Sequence, residues 1–207
     1  MFPRLYAIAD VEVLARRGVA LRAFAQALRQ AGVGLVQLRD KRSAPQQVLA
    51  HAAVLREVFD GSGCRLILND RADLAVLAGF DGVHVGQGDL PVEAARRVVG
   101  PDRWVGISTH TLEQVQRAAA TDADYLAIGP VFATSTKADA DPVVGLEGVR
   151  QARALTRRPL VAIGGISQQR AGSVLAAGAD SVAVISALVD DEAQIAPRVR
   201  DFLAALR

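Results

Sequence analysis

Short apolar runs alternate with longer segments of helical period along the whole chain. The runs are LYAIAD (5 to 10), GLVQLRD (34 to 40), RLILND (65 to 70), GVHVGQ (82 to 87), WVGIST (104 to 109), YLAIGPVF (125 to 132), PLVAIGGI (159 to 166) and SVAVIS (181 to 186). Between them lie segments such as LRAFAQALRQAG and VEAARRVVG, whose apolar residues recur at three and four and which end on glycine, the usual C-terminal stop of a helix. Strands rich in Val, Ile and Leu, each followed by a helix, call for a parallel sheet covered on its other face. About eight such units in 207 residues predict a single-domain, TIM-type (β/α)8 barrel over 1 to 207, at the small end of that architecture.

A weak internal repeat supports closure of the sheet. AGVGLVQLRD, AGFDGVHVGQ, TDADYLAIGP and AGADSVAVIS share a helix end, a turn and a strand, and recur about every 45 to 55 residues, two units apart. The competing fold is an open doubly wound sheet. It predicts a glycine-rich fingerprint after the first strand, and the turn there, IADVEVLARRG, lacks GxGxxG.

Composition narrows the partners. With 51% hydrophobic and 22% charged residues and a formal net charge of +2, the chain reads as an ordinary soluble protein with no basic patch for nucleic acid. Arg4 interrupts the start where a signal peptide needs an apolar stretch, and no run approaches a membrane span, so a cytoplasmic location is expected. The single cysteine, Cys64, excludes an intramolecular disulfide and reads as a small core residue. Small anionic substrates fit this balance, and the oligomeric state is left open.

In a β/α barrel the chemistry sits at the C-terminal ends of the strands. Here those ends are polar: Gln37, Arg39 and Lys41 after the second strand, Asn69 and Asp70 after the third, Gln87 and Asp89 after the fourth, Ser108, Thr109 and His110 after the fifth. The sixth run, read as a strand from Leu126 to Phe132, leads directly into Thr134, Ser135, Thr136 and Lys137. Alternation puts Gln37, Arg39 and Lys41 on one side of their strand, where three long polar side chains suit an oxyanion clamp better than a core.

Two carboxylates stand among these cations. Asp70 and Asp89 would repel a phosphate unless a hard divalent ion lay between, as Mg²⁺ does when held by one or two carboxylates and substrate phosphates. The alternatives are a helix N-cap for Asp70 and plain salt bridges from the two aspartates to Arg39 and Lys41. A second anion site is expected where the glycines of IGGI (163 to 166) and the end of VIS (184 to 186) leave backbone amides uncovered.

Through QLRDK, LNDRADLA, GVHVGQGD, GISTHT, DYLAIGPVFATSTK, AIGGI and AGADSVAVIS, in order, the sequence resembles the thiamine-phosphate synthase family along nearly its whole length. Proteins of that family are β/α barrels that join 4-amino-2-methyl-5-hydroxymethylpyrimidine diphosphate to 4-methyl-5-(2-phosphoethyl)thiazole or its carboxylated form, giving thiamine phosphate and diphosphate with Mg²⁺. The resemblance implies that Asp70 and Asp89 hold the metal. It gives Gln37, Arg39, Lys41, Asn69, Ser108 and Lys137 to the pyrimidine diphosphate, with Arg39, Lys41, Ser108 and Lys137 as the catalytic set. Thr134, Ser135, Thr136, Gly165, Ile185 and Ser186 fall to the thiazole phosphate. His110 is read instead as part of a helix start, with Thr111 and Gln114 as a capping box. The competing functions are the related metal-free thiazole tautomerase and a non-catalytic binder of thiamine precursors.

Overall fold

The computed structural model describes residues 2–134, 141–189 and 191–207. Its elements run β1 (Leu5–Asp10), α1 (Val11–Arg16), α2 (Leu21–Gln30), β2 (Leu35–Arg39), α3 (Pro45–Phe59), β3 (Arg65–Asn69), α4 (Ala72–Leu77), β4 (Gly82–Val85) and α5 (Val92–Val99). They continue with β5 (Trp104–Thr109), α6 (Leu112–Ala119), β6 (Tyr125–Ile128), α7 (Gly145–Leu155), β7 (Leu160–Ile163), α8 (Gln168–Ala176), β8 (Ser181–Val184), a 3-10 turn (Ser186–Leu188) and α9 (Glu192–Ala205). Every neighbouring pair of strands is parallel and β1 pairs with β8, so the sheet closes into the expected eight-stranded barrel.

Closure divides each strand between two cores. Leu5, Ala7, Ala9, Val36, Leu38, Val83 and Val105 face outward and pack with Phe24, Leu28, Leu55, Val115, Val149 and Phe202 of the helices. Each large side chain so buried contributes roughly 1.5–3 kcal/mol. The inward positions form a second cluster, Tyr6, Ile8, Leu35, Ile67, Tyr125 and Val161, with Phe2 and Trp104 stacked beneath it at 5.2 Å between ring centroids. Tyr125 reaches across the barrel because Gly106 has no side chain: a Cβ there would lie 2.1 Å from the tyrosine ring. The glycine is therefore a packing requirement of the interior.

The strands stop earlier than the apolar runs. The run read as a strand from Leu126 to Phe132 is regular only to Ile128, since Pro130 supplies no N–H to a ladder. The chain nevertheless stays beside β7, with Val131 N donating to Ile163 O at 2.9 Å and Phe132 N to Gly164 O at 3.0 Å. Likewise β7 ends at Ile163, because Gly164 and Gly165 take φ of 102° and 62°. These irregular ends carry the site.

Candidate active site

Side chains alternate along each strand, so the last inward residues of the eight strands converge on one mouth. On β1 that residue is Asp10, which is 2% exposed. One carboxylate oxygen accepts from Val13 N at 2.9 Å and caps α1; the other is ion-paired to the Arg39 guanidinium of β2. Register explains the pair, since Asp10 and Arg39 are direct partners in the ladder. Arg39 is thus held on its strand by a buried carboxylate.

Beyond β2, Lys41 Nζ lies 3.1 Å from Asp70 Oδ2. The preceding residue, Asp40, accepts from Ser43 N at 3.1 Å and meets His51 Nδ1 at 2.8 Å, which ties the loop to α3. Asp70 occupies the left-handed region with φ 64°, a conformation Asp tolerates better than most residues but which still costs about 1 kcal/mol. Its N–H donates to His84 O at 2.7 Å. The helix N-cap proposed for it is not formed: the cap position of α4 is Arg71, without a side-chain bond. The Asp70 carboxylate instead meets that of Asp89.

Asp89 Oδ2 accepts from Gly86 N at 2.8 Å. Burial, and then the hydrogen bond and negative charge of Asp89, push the Asp70 carboxyl above its ordinary range, while Lys41 opposes them. Two carboxylates crowded in this way make a poor resting pair and a good place for a divalent cation. Their chemistry fits Mg²⁺, which needs one or two carboxylates and completes its shell with water and phosphate oxygens. The described residues contain no cluster of three or more His, Cys, Asp or Glu side chains. The salt-bridge alternative is met only in part, since Lys41 pairs with Asp70 while Arg39 turns to Asp10.

Gln37 sits deeper than an oxyanion clamp on one strand face would have it. It is 2% exposed inside the barrel and donates through Nε2 to Tyr6 Oη at 2.7 Å. From there a chain of buried polar groups rises to the mouth: Tyr6 Oη to Tyr125 Oη at 2.9 Å, Tyr125 Oη to His84 Nδ1 at 3.1 Å, and His84 Nε2 to Ser108 Oγ at 2.8 Å. Burial pushes both tyrosine hydroxyls well above their usual range, so both stay neutral. Gln37 is part of the interior and of the floor of the mouth together, which strand alternation alone could not separate. Asn69, at the end of β3, pairs in register with His84.

The remaining strand ends enclose a separate cavity of ≈ 330 Å³. Its described lining includes Thr134, Gly165, Ile185 and Ser186, four of the residues assigned to the second anion site, together with Arg17, His110 and Asp141. Main chain makes much of this wall: Gly165 lies so close that a Cβ would be 2.4 Å from Ala133 O. Ser135, Thr136 and Lys137, also assigned from the sequence, lie outside the described residues.

His110 belongs to both readings given to its segment. Thr111 Oγ1 accepts from Gln114 N at 3.2 Å, forming the expected N-cap of α6. Gln114 Oε1 returns to His110 N at 2.6 Å, one residue before the position a capping box uses. The imidazole, meanwhile, faces the cavity with Nδ1 2.7 Å from Gly129 O and 3.3 Å from Asp141 Oδ2. Cys64 is far from this chemistry; burial pushes its thiol up to about 12, in keeping with a small packing residue.

Sequence reading missed Asp10, Arg17, Tyr6, His84, Tyr125 and Asp141. For His84 and Tyr125 a signal existed, since a polar group at an inward position of an apolar run must find a partner inside the barrel.

Comparison with known proteins places these features in context. A family model described as thiamine monophosphate synthase matches residues 5–188. The thiamine-phosphate synthase of Koribacter versatilis is 50% identical over 206 residues, covering 99% of this chain and 96% of that relative. The one from Chloroflexus aurantiacus is 43% identical over 199 residues, covering 95% and 91%. Among solved structures, a thiamine phosphate pyrophosphorylase from Pyrococcus furiosus superposes with a TM-score of 0.83 at 31% identity, covering 98% of this chain and 96% of that one.

Proposed function

The chain belongs to the thiamine monophosphate synthase family, and we propose from this premise that it is a Mg²⁺-dependent transferase joining the aminopyrimidine diphosphate to the thiazole phosphate, with release of diphosphate. The observation that supports the reading is the division of one barrel mouth into two chemically different halves. One half has paired carboxylates among cations; the other is a cavity lined mostly by apolar residues, glycines and hydroxyls. The two substrates carry a diphosphate and a monophosphate, and each half suits one of them.

Asp70 and Asp89 would hold Mg²⁺, whose contribution there is to neutralise charge on the departing diphosphate. Arg39, fixed by Asp10, presents a guanidinium to the same oxygens, and Lys41 adds a point charge from across Asp70. Lys137 is assigned to this half as well, on the strength of the family resemblance. The electron-rich aminopyrimidine carries the cation left behind, and the thiazole nitrogen, positioned by its phosphate, captures it. Gln37 and Asn69 line the floor beneath the pyrimidine. If Gln37 donates to Tyr6, Tyr6 to Tyr125 and Tyr125 to His84 Nδ1, then His84 Nε2 donates to Ser108 Oγ and the serine proton points to the ligand. Thr134, Ser135, Thr136, Gly165, Ile185 and Ser186 bind the thiazole phosphate through hydroxyls and amides.

Purified protein mixed with both substrates, first with Mg²⁺ and then with EDTA, tests this. Equal amounts of diphosphate and thiamine phosphate, lost with EDTA, are expected. Turnover that persists in EDTA would remove the metal from the account. Absence of product with isomerisation of the thiazole would favour a tautomerase, and binding of both substrates without either reaction a precursor-binding protein.

A further inference from the structure

The thiazole-side cavity poses a charge problem. A monophosphate ester carries about −1.5 to −2 at neutral pH, yet the described lining consists mainly of apolar side chains, glycines and hydroxyls, with Asp141 adding a negative charge. The His110 ring is turned to Gly129 O and Asp141 through Nδ1. Arg17 is the only arginine or lysine among the described residues that line the cavity.

Its position follows from the fold. Asp10 caps α1, a helix of six residues, and Arg17 is the residue on which that helix ends, with its N–H bonded to Val13 O and Leu14 O. Gly18 then leaves the helix with φ 68°. Because β1 pairs with β8 in the closed barrel, the end of α1 comes to lie beside the loop after β8 that carries Ile185 and Ser186. The Arg17 side chain is exposed and makes no hydrogen bond or ion pair with a described residue, unlike Arg39 and Lys41 on the other half. Its guanidinium fork remains available to a planar or tetrahedral oxyanion.

We propose that Arg17 is the charged member of the phosphate-binding half of the site, setting affinity for the phosphorylated thiazole without taking part in diphosphate departure. The assignment rests on the functional reading above, but its chemistry, recognition of a monophosphate in this cavity, can be tested without turnover. Arg17 binds through its charge and reach, so Lys in its place retains part of the effect and Ala none.

Two measurements decide it. In steady-state kinetics Arg17→Ala raises the thiazole-phosphate KM about five- to twentyfold, the loss expected for one partly solvated charge-assisted contact. Arg17→Lys falls between, and the pyrimidine-diphosphate KM and kcat stay near wild type. Arg16→Ala, which removes the preceding charge outside the cavity lining, serves as the control. In parallel, inorganic phosphate is titrated into wild type and Arg17→Ala while the amide resonances of Gly165 and Ser186 are followed by NMR. A weaker phosphate isotherm in Arg17→Ala supports the proposal even if the wild type proves unable to form thiamine phosphate, an outcome that would overturn the functional reading alone. Identical isotherms, or an unchanged thiazole KM in an active enzyme, would show Arg17 to be a solvated surface residue and overturn the proposal.

Discussion

The two halves of the barrel mouth differ in chemistry, and on the function proposed above each would hold its anion in its own way. On the β1–β5 side the groups are charged and already paired: Asp10 with Arg39, Lys41 with Asp70, Asp70 crowded by Asp89. On the β6–β8 side the described walls are mostly apolar residues, hydroxyls and glycines, with Gly164 and Gly165 in left-handed conformations. In the proposed reaction the difference matches what each ligand would do. A leaving diphosphate develops charge during reaction and benefits from fixed opposite charges and a metal. A monophosphate that serves as a handle needs only to be held, and in the proposed site amides, hydroxyls and the single charge of Arg17 would do that with little change in electrostatics as the reaction proceeds.

Removing one of the two carboxylates proposed to hold Mg²⁺ breaks the comparison most severely. Asp89→Ala should lower Mg²⁺-dependent turnover by more than about 100-fold, while thermal denaturation shows the fold intact; undiminished activity would remove the metal assignment. On the other half, Gly165→Ala adds a Cβ 2.4 Å from Ala133 O at φ 62°. It should cost about 2–3 kcal/mol of stability, read by urea denaturation, and raise the thiazole KM ahead of the pyrimidine KM. If only the pyrimidine KM moved, the two halves would have been assigned the wrong way round.

Smaller changes probe the supports beneath the charged half. Tyr125→Phe deprives His84 Nδ1 of its hydroxyl partner and interrupts the route to Ser108. A loss of about 1–2 kcal/mol in denaturation and a reduced kcat are expected, with the thiazole KM unchanged. The smallest effect concerns Asp40. Burial raises its carboxyl, but the hydrogen bonds from His51 and Ser43 outweigh that and hold it below the usual carboxylate range. The stabilisation is present above the unfolded-state value and is lost as pH falls through the lower folded-state value. Asp40→Asn should therefore cost about 1 kcal/mol at pH 7, with the gap from wild type closing in acid; a gap independent of pH would mean the carboxylate charge is not what holds the loop.

The barrel was readable because its strands are nearly all apolar and recur with helices between them, a period that few other folds produce. The polar strand ends were readable for the same reason: Asp70, Asp89, Arg39 and Ser108 stand out against Val and Ile. What sequence could not give was depth and neighbourhood. Gln37 and Arg39 share a strand face, yet two residues along β2 separate a buried amide from a guanidinium in the mouth. His84 sat inside an apolar run and passed as strand filling until Tyr125 and Ser108 were seen on either side of it. Arg17 reaches the site only because the first and last strands meet, a contact that local pattern does not encode. Asp70 had a helix cap as a competing explanation, and the start of α4 one residue later than such a cap requires, with Arg71 at its cap position, was needed to set that aside.

A crystal structure with Mg²⁺, diphosphate and the thiazole phosphate bound together tests the central claim of two distinct anion sites at one mouth. The account predicts diphosphate on Arg39 and Lys41, the metal shared between Asp70 and Asp89, and the thiazole phosphate against Gly165 and Ser186. Both anions on the same half, or a metal bound away from the two aspartates, would contradict it.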